Sequence, residues 1–161
     1  MNPTQAEIES IFGTLSNLPS GYVAFFDHVD DDVKWEITGQ NSLSGIWLSK
    51  SVFMKEVWLP IIKLIADPGP VLEIVSAETI MKTDDGWIAI ELKTTNTRTK
   101  LGNRLYNQHY CWKCKFNAAK KIVQVRAFID SSTAEAILSE EKFRQEALDI
   151  VPNSGPNPSR M

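Results

Sequence analysis

The strongest constraint on this chain is a regular alternation of side chains between Asn103 and Ser131. The run NRLYNQHYCWKCKF puts Tyr106, Gln108, Tyr110, Trp112, Cys114 and Phe116 on one parity. Leu105, Asn107, His109, Cys111, Lys113 and Lys115 take the other. A period of two with aromatics on one side marks a half-buried antiparallel strand. After the polar turn NAAKK, IVQVRAFIDS alternates again, with Val123, Val125, Ala127 and Ile129 opposite Gln124, Arg126, Phe128 and Asp130. Two long strands in a hairpin, with Arg126 and Asp130 on one face near the exit, are expected to wall a pocket.

Upstream the spacing is helical. Thr4 is placed to cap a helix, with Glu7 at the capping-box position and Ile8, Ile11, Phe12 and Leu15 on one apolar stripe. Leu18-Pro19-Ser20-Gly21 breaks it, and Ser20 is placed to cap a second helix carrying Tyr22, Val23, Phe25, Phe26 and Val29. Asp30-Asp31-Asp32 reads as a solvated turn without calcium-loop spacing. Val33, Trp35 and Ile37 then alternate as a strand, and Ser42 to Trp47 reads as a loop or short strand. Ser49 is placed to cap a third helix holding Val52, Phe53, Val57, Trp58, Ile61, Ile62 and Ile65, which Pro60 should kink.

Beyond Asp67-Pro68-Gly69-Pro70 strands take over. Val71 to Lys82, Trp87 to Thr99, Tyr106 to Phe116 and Ile122 to Ser131 form a meander, with Asp84-Asp85-Gly86 as its first turn. Ser132 or Thr133 is placed to cap a last helix around Ala134 to Ala147. Helices ahead of an antiparallel sheet predict an α+β layer fold. A strongly twisted sheet would curl around the N-terminal helices into a cone with one open end. Residues 1–148 are expected to form a single domain, and 149–161, rich in Pro, Asn and Ser, a flexible tail.

Bulk properties narrow the function classes. A chain of 161 residues is long enough for one substantial core, and 43% hydrophobic with 23% charged residues is ordinary globular composition. A net charge of -3 without a basic cluster argues against nucleic acid or an anionic membrane as partner. The apolar runs are too short for a membrane span, and the N-terminal MNPTQAEIES lacks a signal-peptide pattern. A cytoplasmic location is therefore expected. Cys111 and Cys114 have the CxxC spacing, but within a strand they should face opposite ways, whereas redox pairs sit at helix N-termini. Two reduced thiols are expected, and no metal, since a zinc site wants four ligands.

The ordered set DDVKWEITG, LSGIWLSKSVF, GWIAIELKTTNTRTKLGNRLYNQHYCW and KIVQVRAFIDS resembles the nuclear transport factor two-like (cystatin-like α+β) superfamily. In detail it is similar to the SnoaL-like branch, which includes polyketide cyclases and is related to ketosteroid isomerases and limonene epoxide hydrolases. The resemblance covers roughly residues 8 to 138. It implies a cone-shaped apolar cavity, a homodimer and no metal or organic cofactor.

The resemblance also implies that an acidic residue near the end of the last strand transfers protons, and Asp130 matches that segment. A carboxylate at the end of a buried strand is expected to have a raised pKa suited to acid/base work. The competing reading makes Asp130 a helix cap or a partner of Arg126. Arg126 is a candidate for polarising a carbonyl, or for half of a surface ion pair. Parity sets a test: if Val123, Val125, Ala127 and Ile129 face the helices, Arg126 and Asp130 face outward unless a bulge intervenes. Tyr110, on the aromatic parity, is a candidate oxyanion donor, and His109 a proton relay. Trp35, Phe53, Trp58, Trp87, Tyr106, Trp112 and Phe128 are candidates to grip a hydrophobic, oxygenated molecule of polyketide, terpenoid or steroid type. The expected activity is cofactor-free isomerisation or cyclisation. The alternatives are a non-catalytic ligand-binding or dimerisation module, or an epoxide hydrolase, for which Arg126 and Asp130 supply two of three groups.

Overall fold

The structure, a computed structural model, describes residues 2–17 and 21–150. Helix α1 spans Gln5–Gly13 and begins as its sequence demands. The Thr4 side chain accepts from the Glu7 N–H, and the Glu7 carboxylate accepts from the Thr4 N–H. This reciprocal pairing satisfies two helix-end donors at once. Ile8, Ile11 and Phe12 turn inward, and Leu15 follows from a short 3-10 turn. Helix α2 (Gly21–Phe26) buries Phe25 and Phe26. The cap expected at Ser20 lies outside the described residues.

Strand β1 (Val29–Ile37) starts earlier than its alternation suggests. Val29 begins the strand instead of ending α2, and Asp30 to Asp32 are strand residues with exposed or half-exposed side chains. After β2 (Gly45–Trp47), the Ser49 hydroxyl accepts from the Val52 N–H to open α3 (Lys50–Phe53). A π-helical turn, Met54–Trp58, comes next and leads into α4 (Leu59–Leu64). The reason lies in Pro60, which has no N–H for the carbonyl four residues back. The Leu59 N–H reaches back to the Met54 carbonyl instead, and the helix widens where a kink is predicted.

The single strand expected over Val71 to Lys82 is interrupted. It comprises β3 (Leu72–Ile74), a 3-10 turn at Ala77–Thr79, and β4 (Met81–Lys82), both strands pairing with β5 (Trp87–Thr94). Gly86, with φ +91°, makes the tight turn into β5, where a Cβ would meet the Phe116 carbonyl at 2.9 Å. Strand β5 stops at Thr94 because Asn96 takes a left-handed backbone (φ +48°). Strands β6 (His109–Phe116) and β7 (Ile122–Ile129) complete the meander.

The seven strands form one curved, unclosed sheet in the order β2-β1-β7-β6-β5-β3, with β4 also on β5. Pairing is antiparallel except between β1 and β7, which run parallel. The concave face carries Val33, Trp35, Ile37, Ile88, Ile90, Leu92, Trp112, Cys114, Val125 and Ala127 against α1, α2 and α3. Trp35 anchors this core, stacking on Phe53 at 4.1 Å between ring centres and meeting Trp112 edge-on at 5.3 Å.

Helix α5 (Ser131–Ile150) packs over one end of the sheet through Ala134, Ile137 and Leu138, against Ile65 and Tyr106. It runs three residues past the expected Ala147 and takes in the first two residues of the expected tail. The remainder of that tail lies outside the described residues.

Candidate functional site

Between the concave face and the π-helical segment lies a cavity of about 60 Å3. That is several times the roughly 10–15 Å3 that one water needs. Its walls are almost wholly apolar. The sheet contributes Trp35, Ile37, Tyr110, Trp112, Ala127 and Ile129. Helical segments contribute Phe53, Val57, Trp58, Ile61 and Ile62, and the connections add Leu43, Pro70 and Tyr106, beside Leu72 of β3. Trp58 sits in the π-helical turn, so the irregularity beside Pro60 sets how this indole meets the void.

The polar side-chain groups of that wall are indole N–H groups and phenols. The indole N–H groups of Trp58 and Trp112 are buried without a hydrogen-bond partner. The phenols of Tyr106 and Tyr110 are adjacent. Burial first, and then the Tyr106 hydroxyl beside it, push Tyr110 well above the ordinary tyrosine range. Burial likewise raises Tyr106. Both remain protonated and act as donors.

Tyr106 is held from behind by Gln108, which is 1% exposed. The Gln108 amide pairs with the main chain of Asp130, accepting from its N–H at 2.8 Å and donating to its carbonyl at 3.0 Å. It also donates to the Tyr106 hydroxyl at 3.3 Å. This clamp fixes the end of β7, the start of α5 and the tyrosine together. Its inward parity is legible in the sequence, but its pairing is not.

The structure divides the sequence-derived candidates between two faces. Trp35, Phe53, Trp58, Tyr106, Tyr110 and Trp112 meet at the cavity. Trp87, Phe128, His109, Arg126 and Asp130 do not line it. Trp87 stands on the convex face with the Lys115 ammonium 5.7 Å from its ring centre. Phe128 is 39% exposed beneath the Arg126 guanidinium. Arg126 pairs with Glu36 on the neighbouring β1 at 3.3 Å, so it serves as half of a surface ion pair. His109 is exposed on the same convex face, opposite Lys93. No bulge in β7 reverses the register between Gln124 and Ile129, so alternation alone sends these side chains outward.

Asp130 corrects the expectation most directly. Its carboxylate is exposed and caps α5, accepting from the Thr133 N–H (3.2 Å), the Thr133 hydroxyl (2.7 Å) and the Ser132 hydroxyl (2.9 Å). These bonds, led by the Thr133 hydroxyl, hold its pKa below the usual aspartate value, opposite to the raised value expected. Capping thus accounts for Asp130, and the Arg-Asp grouping of an epoxide hydrolase is not assembled at the cavity. The two cysteines face opposite ways, Cys114 buried and Cys111 half-buried. Burial raises both thiols, so neither is an activated thiolate.

Glu141 is a buried carboxylate that sequence reasoning missed. It is 1% exposed on α5 and accepts from the main-chain N–H groups of Leu101 and Gly102. Burial opposes its ionised form, yet those two N–H donors win and its pKa is lowered. Its spacing from Ala134, Ile137 and Leu138 on the inward stripe was the available signal. Among the described residues no cluster of His, Cys, Asp and Glu suits a metal ion, and no helix is long and apolar enough to cross a membrane.

By sequence, no protein-family model and no curated protein matches this chain. By structure, it is similar to an NTF2-like protein from Burkholderia thailandensis, with TM-score 0.62 and 12% identity over 82% of this chain and 95% of that one. A Xanthomonas campestris protein of unknown function with a cystatin-like fold gives TM-score 0.62 at 19% identity, covering 84% and 97%. A protein from Rhodopseudomonas palustris, described as a candidate isomerase, gives 0.60 at 15% identity, covering 89% and 99%. The chain therefore has the NTF2-like, cystatin-like α+β fold. At these identities the likeness establishes the fold and leaves function to the site.

Proposed function

We propose that this protein binds a small hydrophobic molecule in the cavity between its sheet and the π-helical segment. The observation that carries this reading is the wall itself. A void flanked by three indoles and two phenols is built to exclude water and grip a flat apolar body. Binding is favoured over acid/base isomerisation or cyclisation because of what the wall lacks. Its titratable groups are Tyr106 and Tyr110, both pushed toward the protonated form, so the lining offers proton donors and no base. The SnoaL-like resemblance supports the cavity and the apolar ligand, while the proton-transfer role it implies for Asp130 finds no support at the void.

Intrinsic fluorescence tests the reading, because Trp35, Trp58 and Trp112 all touch the cavity. Toluene should change the emission saturably. Ala127→Phe, which fills the void from the sheet side, should abolish that response while the protein remains folded by circular dichroism. Undiminished binding by a folded Ala127→Phe variant would place the ligand elsewhere.

A further inference from the structure

We propose that two copies of this chain pair through the outward face of the last two turns of α5, with the two helices antiparallel. This surface lies apart from the cavity, and the proposal stands without the binding role.

Helix α5 carries two apolar stripes. Ala134, Ile137 and Leu138 are spent on the body of the protein. From Lys142 onward every residue but Gln145 is exposed. Gln145, donating to the Lys63 carbonyl at 3.1 Å, makes the last hydrogen bond from α5 to the body among the described residues. Yet Phe143, Ala147 and Ile150 follow at i, i+4 and i+7, which is one face of a helix. Phe143 is 72% exposed and Ile150 79%. Leu148 and Leu101 widen the patch, lining with Phe143, Arg144 and Ala147 a groove of about 370 Å3. A contiguous apolar patch of this kind marks a surface that binds another body.

The charges beside the stripe indicate what covers it. Lys142, Glu146 and Asp149 stand at i, i+4 and i+7 along one flank, with a cation at one end and a carboxylate at the other. None of the three has an ion-pair partner among the described residues. Antiparallel helices related by a two-fold axis bring the same flank of each together, so Lys142 of each copy lies beside Asp149 of the other. Phe143 then packs near Ile150 of the second copy, and the small Ala147 near the axis lets the backbones approach. Each Glu146 keeps Lys142 of its own helix one turn away. The pairing also corrects a local fault. The last turn of α5 holds Asp149 and no basic residue, which opposes the helix dipole, and the second copy supplies the cation. Residues 151–161 offer Val151, Met161 and three prolines as apolar side chains and Arg160 as a lone cation, too little to match the stripe.

Sedimentation equilibrium of the intact chain between about 10 µM and 1 mM tests this, a range suited to a small interface. Its mass is expected to climb toward at least twice that of Phe143→Glu at the same concentration, whatever other face also associates. Lys142→Glu and Asp149→Lys, each alone, put like charges together at both ends of the pair and should weaken association about tenfold. An equimolar mixture of those two variants should regain the native strength, because the mixed pair again opposes unlike charges at both ends. Equal masses for the intact chain and Phe143→Glu would overturn the proposal. So would a mixture no tighter than either variant alone, which would give the face to a parallel copy, to residues 151–161 or to another protein. Should Phe143→Glu fail to fold, the mixing experiment still decides.

Discussion

The two faces of the β6–β7 hairpin are made of the same two strands, yet they carry opposite physical chemistry. The concave face holds half-buried Tyr110 with buried Trp112, Val125 and Ala127, and the Trp112 indole N–H there lacks an acceptor. The convex face holds His109, Arg126 and Phe128, with Asp130 at its end; there Arg126 pairs with Glu36 and Asp130 caps α5. A residue type that suggests chemistry means little until its parity is known. Arg126 and Asp130 are reactive-looking groups on the wet side, whereas Trp58 and Trp112, which look like inert core, sit at the void.

Mutations on the two faces should differ in kind as well as size. The greatest loss is expected from Trp35→Ala, which empties the stack against Phe53 and should cost about 3–5 kcal/mol in urea denaturation, along with ligand binding. Glu141→Ala strands the Leu101 and Gly102 N–H groups and should cost about 2–3 kcal/mol. Asp130→Ala removes a helix cap, about 1 kcal/mol, and should leave cavity affinity intact. Loss of binding in that variant would break the division between faces. Arg126→Ala should change stability by less than about 0.5 kcal/mol, as exposed pairs do.

Acid titration sharpens the same contrast. Asp130, Glu135 and Glu141 on or beside α5 all have folded pKa values below their unfolded ones. Their stabilisation is complete above the unfolded values near pH 4 and is lost as pH falls through the folded ones. Urea midpoints should therefore be level near neutrality and decline below about pH 4.5. Glu141→Gln should flatten that decline, and an unchanged slope would show that the Glu141 carboxylate on the Leu101 and Gly102 N–H groups contributes nothing.

Much of the architecture was legible because it follows from period and caps. Thr4 with Glu7, Ser49, and the alternation of Val33, Trp35 and Ile37 each led to the element that formed. The site was half legible: parity alone put Tyr106, Tyr110 and Trp112 on one side. Trp87 misled because an aromatic on a half-buried strand looks the same from either face, and here it packs beneath a lysine. The break between β3 and β4 was hidden because Val71 to Lys82 has strand-like composition, whereas the chain turns at Ala77–Thr79 to reach β5 twice. Gln108 and Glu141 escaped notice because their partners are main-chain groups, and no side-chain pattern announces those.

The π-helical turn at Met54–Trp58 makes the length of the chain itself a determinant of what the hollow admits. Removing one residue there would return the segment to 3.6 residues per turn and swing everything after it by about 100° about the helix axis. Trp58, Ile61 and Ile62 would leave the wall together and their neighbours would take their places. A single deletion there would thus exchange the helical side of the lining, with no residue replaced.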